Sequence, residues 1–107
     1  MYSSQLLMAV KRAQKLPSNY ALARFLDVRE NQIHRWHKNQ NAPDDLTAVR
    51  LATLAGLDPD VVVAAMHAQR ASNPVGRSVW RRISNRLQLD NAAANSGFID
   101  LDLRATS

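Results

Sequence analysis

The chain has no cysteine, few glycines and prolines, and no long hydrophobic run. Its 107 residues include three Gly and four Pro. Without Cys, neither a disulfide framework nor a thiolate metal site can form. No stretch approaches ~18 consecutive apolar residues, so we expect no membrane span. The opening MYSSQLLMAVKR lacks the positive region that precedes the apolar core of a signal peptide.

The composition that remains is that of one small folded domain. Apolar residues make up 46% of the chain and charged residues 21%, which is typical of a globular, helix-favouring protein rather than a disordered one. A chain of this length can bury one core but not two. We therefore predict a single core built from helices.

Positive charge is concentrated in two parts of the chain. The net charge is +5; residues 1–40 hold seven Lys or Arg against two acids, and residues 61–90 hold five against one. Residues 41–60 hold one against four, and residues 91–107 one against two. This asymmetry favours a protein that presents one side to a polyanion. The alternative is a solvated basic surface with no partner.

Apolar spacing and capping residues predict six helices. Ser18, Asp58 and Asn73 are suited to start a helix, and Gly56 is suited to end one. With these signals, the predicted helices cover residues 3–16, 19–26, 29–38, 44–55, 59–71 and 74–89. In the fourth helix, the apolar side is assigned to Leu46, Val49, Ala52, Leu54 and Ala55.

The C-terminal segment has a different pattern. Residues 98–103, FIDLDL, alternate apolar and acidic side chains with a period of two, which predicts a strand. Because one short strand is not stable alone, this segment either pairs with a partner chain or forms a loosely packed tail.

Residues 19–39 predict a helix-turn-helix. A small residue, Ala23, would let the second helix approach through Ile33 and Trp36. Asp27 in the turn and Asn39 after the second helix tolerate a left-handed backbone better than most residues do. The outward side of the second helix is polar and partly basic.

In its apolar positions this stretch resembles the Cro/lambda-repressor type of helix-turn-helix family. The matching residues keep the family spacing without a gap: Leu22, Ala23, Leu26, Val28, Ile33 and Trp36. The likeness covers about residues 3–70. The runs LPSNYALARFLDV and NAPDDLTAVRLATLAGLD are also similar to short regulators of phages and prophages, including filamentous phages. The resemblance implies an all-α, five- to six-helix lambda-repressor-like domain over residues 1–72. Residues 73–107 would then be a basic helix and tail, packed on that domain or used for dimerisation.

The resemblance also implies a set of DNA-binding residues. Asn19 would contact a phosphate, and Lys38 would reach the backbone beyond the groove. The groove-facing residues would be Arg29, Glu30, Asn31, Gln32 and Arg35. These residue types suit that role, because Arg can pair with guanine, Asn and Gln with adenine, and Glu with cytosine.

Three residues depart from the family pattern. Asp27 replaces Gly in the turn, and Arg29 replaces the Ser or Thr that caps the second helix, a loss of about 1 kcal/mol. Glu30 places a carboxylate near the phosphates. We expect that Glu30 either reads a base or orients Arg35.

Other constellations have simpler explanations than catalysis or metal binding. His34 and His37 are three residues apart but have no supporting ligands, and Asp44 and Asp45 are explained as helix-start acids. No phosphate loop, nucleophile elbow or zinc motif occurs. We predict no enzyme activity, no metal and no cofactor.

The sixth helix carries four arginines whose role the sequence leaves open. They could contact phosphates, lie at the edge of an oligomer interface or be solvated: Arg77, Arg81, Arg82 and Arg86.

The sequence thus predicts a transcriptional regulator that binds double-stranded DNA and acts by occupying an operator, in the cytoplasm of a bacterial host. One recognition helix reads too few base pairs for specificity, so a homodimer is expected. The sixth helix and residues 98–103 are the hypothesised dimer contacts. The alternative function is a small phage module that uses the same scaffold to bind a host protein.

Overall fold

The computed structural model describes the backbone of residues 1–106 and the side chains of residues 1–91. Residues 1–106 contain six helices and no strand, which confirms the all-α prediction. The helices are α1 (Ser3–Ala13), α2 (Asn19–Leu26), α3 (Glu30–His37), α4 (Asp45–Ala55), α5 (Pro59–Arg70) and α6 (Pro74–Thr106). No helix in this described part is long and apolar enough to cross a membrane.

The predicted capping residues start their helices. Ser18 accepts a hydrogen bond from the Ala21 amide, and Asp58 accepts one from the Asp60 amide. Asn73 accepts one from the Val75 amide in the same way. These bonds satisfy amides that have no partner within the helix.

At the start of α4, Asp44 accepts a hydrogen bond of 2.9 Å from the Thr47 amide. This bond stabilises the ionised form and holds the pKa of the Asp44 carboxyl below its ordinary value.

Four helices end with the same backbone motif. In each, a residue with positive φ follows the last turn: Lys15, Asp27, Asn39 and Gly56. The next amide then bonds a carbonyl five residues earlier, in the pairs Leu16 to Lys11, Val28 to Ala23, Gln40 to Arg35 and Leu57 to Ala52. This is the Schellman arrangement. The predicted left-handed positions at Asp27 and Asn39 are confirmed, whereas Lys15 was not foreseen.

Two predicted boundaries are wrong. The first helix ends at Ala13 rather than at residue 16, because Lys15 turns the chain before Pro17. The sixth helix does not end near residue 89 but continues to Thr106. The strand prediction for residues 98–103 is therefore wrong. Extending an existing helix needs no new nucleation, and this advantage overrides a short pattern of period two.

The core lies where α1 to α5 meet. Its fully buried members are Leu6, Leu7, Val10, Leu22, Ile33, Ala48, Leu51, Ala52, Val62 and Met66. In α4 the buried row is Ala48, Leu51 and Ala52, so the assignment of Leu46 and Val49 to the apolar inner side is wrong. The small Ala48 and Ala52 let α4 pack closely with Leu51 inward, and this rotation leaves Leu46 and Val49 exposed.

The first half of α6 packs on α5. The Trp80 ring stacks on the His67 ring with centroids 4.4 Å apart. The buried Ser84 hydroxyl donates a 3.0 Å hydrogen bond to the Val61 carbonyl. Asn91 donates to the carboxylate of Asp58 at the start of α5. These contacts hold residues 80–91 of α6 against the rest of the domain.

Candidate nucleic-acid interface

The helix pair α2 and α3 is joined by only three residues, 27–29. Asp27 takes the left-handed conformation, with φ 58° and ψ 47°, and lets the chain reverse direction within the turn. The guanidinium of Arg50, on α4, donates a 3.0 Å hydrogen bond to the Leu26 carbonyl. This bond ties the end of α2 to α4 and so fixes the start of the turn.

One side of α3 is buried and the opposite side faces solvent. Ile33 and Trp36 are buried against α1 and α2. On the outer side, the residues proposed from the sequence are exposed, apart from the half-buried Gln32: Arg29, Glu30, Asn31, Arg35 and Lys38. These six residues occupy the solvent-facing part and the edges of α3 and its two flanking positions, and we call them together the α3 outer face.

Most polar groups of the α3 outer face are unengaged. Among residues 1–91, no side-chain hydrogen bond or ion pair involves Arg29, Asn31, Gln32, Arg35 or Lys38. Arg29 precedes the helix without capping it. Five hydrogen-bonding side chains are therefore available to an external partner.

Glu30 is the member of this face that has a partner. Its carboxylate lies 3.6 Å from His34 Nε2, one helical turn along, and both side chains are about half exposed. Of the two roles expected for Glu30, reading a base or orienting Arg35, the second is not seen, because residues five apart lie about 140° apart around the helix axis. An exposed pair of this kind is weak and salt-sensitive.

Asn19 lies at the start of α2 and accepts a hydrogen bond of 2.8 Å from Lys11 Nζ. Because the amide oxygen is occupied by the ammonium group, the amide nitrogen remains to face a partner. Lys11 was not singled out from the sequence. The only available signal was its charge, since the contact joins two helices that are separated along the chain.

The far end of α3 is fixed to the start of α1. Asn39 Oδ1 accepts a 3.0 Å hydrogen bond from the Ser4 amide. The fully buried Ser3 hydroxyl donates to the Trp36 carbonyl at 2.6 Å and accepts from Gln69 Nε2 at 3.0 Å. The position of α3 therefore depends on contacts with both α1 and α5.

The remaining candidate residues lie elsewhere or form no cluster. His34 has only Glu30 beside it, and residues 1–91 contain no group of three or more side chains that could hold a metal ion. The exposed arginines of α6 are on the helix that packs on α5, whereas α3 packs on α1 and α2.

Comparison with known protein families, with characterised proteins and with solved structures gives no significant match. The likeness to the Cro/lambda-repressor family therefore stays a prediction from the sequence.

Proposed function

We propose that this chain is a regulator that binds double-stranded DNA in a sequence-specific way and acts by occupying an operator, as short phage and prophage repressors do. The α3 outer face enters the major groove. Lys38 contacts the phosphate backbone. The residues that read base edges are Arg29, Glu30, Asn31, Gln32 and Arg35.

The observation that carries this proposal is the unengaged polar row on α3. Oppositely charged or hydrogen-bonding side chains at spacings of three and four residues can satisfy one another on a helix surface. Here five donors or acceptors on a rigidly held helix lack partners among the described side chains. Their types are those that pair with bases in the major groove.

Flanking residues support the same orientation. Phosphate contacts position a protein on the duplex without reading its sequence. The Asn19 amide nitrogen and the Lys11 ammonium group lie together at the start of α2. There the unpaired amides of the helix end add positive potential. This end of α2 would hold one strand while Lys38 reaches the other side of the groove.

A second candidate function is the binding of a host protein through the same scaffold. Salt titration separates the two functions. We expect fluorescence anisotropy with a labelled duplex to show a linear fall of log affinity with log salt. Each neutralised phosphate contributes a slope of about −0.9. Lys11→Gln and Lys38→Gln should each show a shallower slope, and Lys15→Gln, which removes the same single charge outside the proposed contacts, serves as the charge-matched control. No DNA binding near 150 mM salt would contradict the proposal and favour the host-protein function.

A further inference from the structure

A cleft lies where the start of α1 meets α5 and α6. Its volume is about 410 Å³, within the range of roughly 300–1,000 Å³ that small-molecule sites occupy. A smaller cleft of about 180 Å³ adjoins it, because Met1, Ser84 and Asn85 line both. We call the two together the α1–α6 cleft. Among residues 1–91, no member of the α3 outer face lines either part.

The larger part has an apolar base. Val61 and Val62 of α5 are buried in the domain, and Leu57, just before α5, is partly buried. The Ser84 hydroxyl is already committed to the Val61 carbonyl and holds α6 on α5 at this point. The base can therefore cover the apolar body of a ligand.

The polar groups around the larger part are mostly amides. Asn85 and Gln88 are exposed, and within residues 1–91 their side chains make no hydrogen bond. Asp58 is the one acid among the lining residues. Its carboxylate accepts hydrogen bonds from the Asp60 amide and from Asn91. The groups that remain available here are thus neutral.

The smaller part carries a single charged side chain among its described lining residues, Arg81. Within residues 1–91 the Arg81 guanidinium has no hydrogen bond or ion pair. The Tyr2 hydroxyl and the Asn85 amide are further donors in the same lining. A guanidinium binds a carboxylate through two parallel hydrogen bonds. One cation balances the single charge of a carboxylate, whereas a phosphate dianion would keep an uncompensated charge.

We propose that the α1–α6 cleft binds a small organic acid. The carboxylate lies on the Arg81 guanidinium, and the apolar body lies over Val61 and Val62. The two parts of the cleft share Ser84 and Asn85, so one ligand reaches both.

Gln69 links this site to α3. It lines the smaller part of the cleft, and its Oε1 accepts a 2.6 Å hydrogen bond from the Ser3 amide while its Nε2 donates to the Ser3 hydroxyl. Ser3 in turn donates to the Trp36 carbonyl of α3. A carboxylate on Arg81 competes for Gln69 Nε2 and loosens the anchoring of α3. The resulting loss of DNA affinity rests on the proposed function.

The binding test is a titration of the ¹⁵N-labelled full chain with hexanoate, without DNA, followed by nuclear magnetic resonance. We expect saturable shifts of the Ser84 and Asn85 amides. Acetate, which has no chain to bury, should bind at least about tenfold more weakly. Arg81→Gln should raise the Kd of hexanoate about tenfold. Arg86→Gln is the matched control, because it removes the same charge about 140° around α6, and it should leave the Kd unchanged.

Two results would overturn the binding site. One is the absence of saturable shifts up to about 50 mM hexanoate, and the other is an equal loss of binding in Arg81→Gln and Arg86→Gln.

A second titration tests the link to α3. At constant ionic strength, hexanoate should lower the affinity of the wild type for a DNA duplex and leave that of Arg81→Gln unchanged. An unchanged wild-type affinity at saturating hexanoate would refute the link through Gln69. A chain that binds hexanoate but no DNA would refute the proposed function and leave the binding site standing.

Discussion

At the scale of the residue, the α3 outer face contains side chains with different expected roles. Arg35 lies in the last turn of α3 and Lys38 just after it, and both are exposed without partners among the described side chains. Arginine can form two hydrogen bonds with guanine, whereas lysine contacts phosphate as a point charge. Removing the Arg35 side chain should therefore lower the affinity by an amount that depends on the DNA sequence, whereas removing the Lys38 side chain should lower it equally for all sequences.

We predict that Arg35→Ala weakens binding to the cognate site by roughly 1–3 kcal/mol and relaxes one base preference. Lys38→Ala should weaken all duplexes alike. Anisotropy titrations on cognate and scrambled duplexes at one salt concentration measure both effects. If each variant lost the same affinity on both duplexes, Arg35 would not be a base reader.

At the scale of the element, the helix ends show what the sequence could and could not predict. Capping by Ser18, Asp58 and Asn73 was predictable, because the bonds are local and depend on residue type. Lys15 carries no such signal, since lysine has no preference for positive φ. The rotation of α4 was missed because two of its three buried residues, Ala48 and Ala52, are small and weigh little in an apolar pattern, whereas the larger Leu46 and Val49 are exposed.

Two of the left-handed residues should respond oppositely to glycine. The Asp27 side chain makes no hydrogen bond within residues 1–91. By contrast, Asn39 Oδ1 accepts one hydrogen bond from the Ser4 amide and another, of 3.2 Å, from the Ser3 hydroxyl. Asp27→Gly should stabilise the fold by about 0.5 kcal/mol, because relief of left-handed strain exceeds the added entropy of the unfolded chain. Asn39→Gly should destabilise it by about 1 kcal/mol through the lost bonds.

Urea unfolding of both variants beside the wild type measures the two free energies of unfolding. Changes of the same sign would mean that backbone conformation alone governs these positions. The anchoring of α3 through Asn39 would then be wrong.

At the scale of the whole molecule, the number of helices, their order and the outward set on α3 followed from the sequence. The contacts that fix α3 did not. The Ser3, Asn39 and Gln69 bonds join residues up to 66 positions apart, and no local pattern encodes such a meeting. The extension of α6 was also missed, because a period of two in six residues says little once a helix is already formed.

The whole fold separates two basic regions. The α3 outer face belongs to the part of the domain built by α1, α2 and α3, whereas the exposed arginines of α6 lie on the helix that packs on α5.

The measurement that tests the central claim most directly is selection of bound sites from a pool of random duplex DNA by the full chain. Our account predicts an enriched motif with two half-sites, centred about 10 base pairs or a multiple of that distance apart. The motif selected by the Arg35→Ala variant should show no base preference at one position of each half-site. A selected pool no different in sequence from the starting pool would contradict sequence-specific binding.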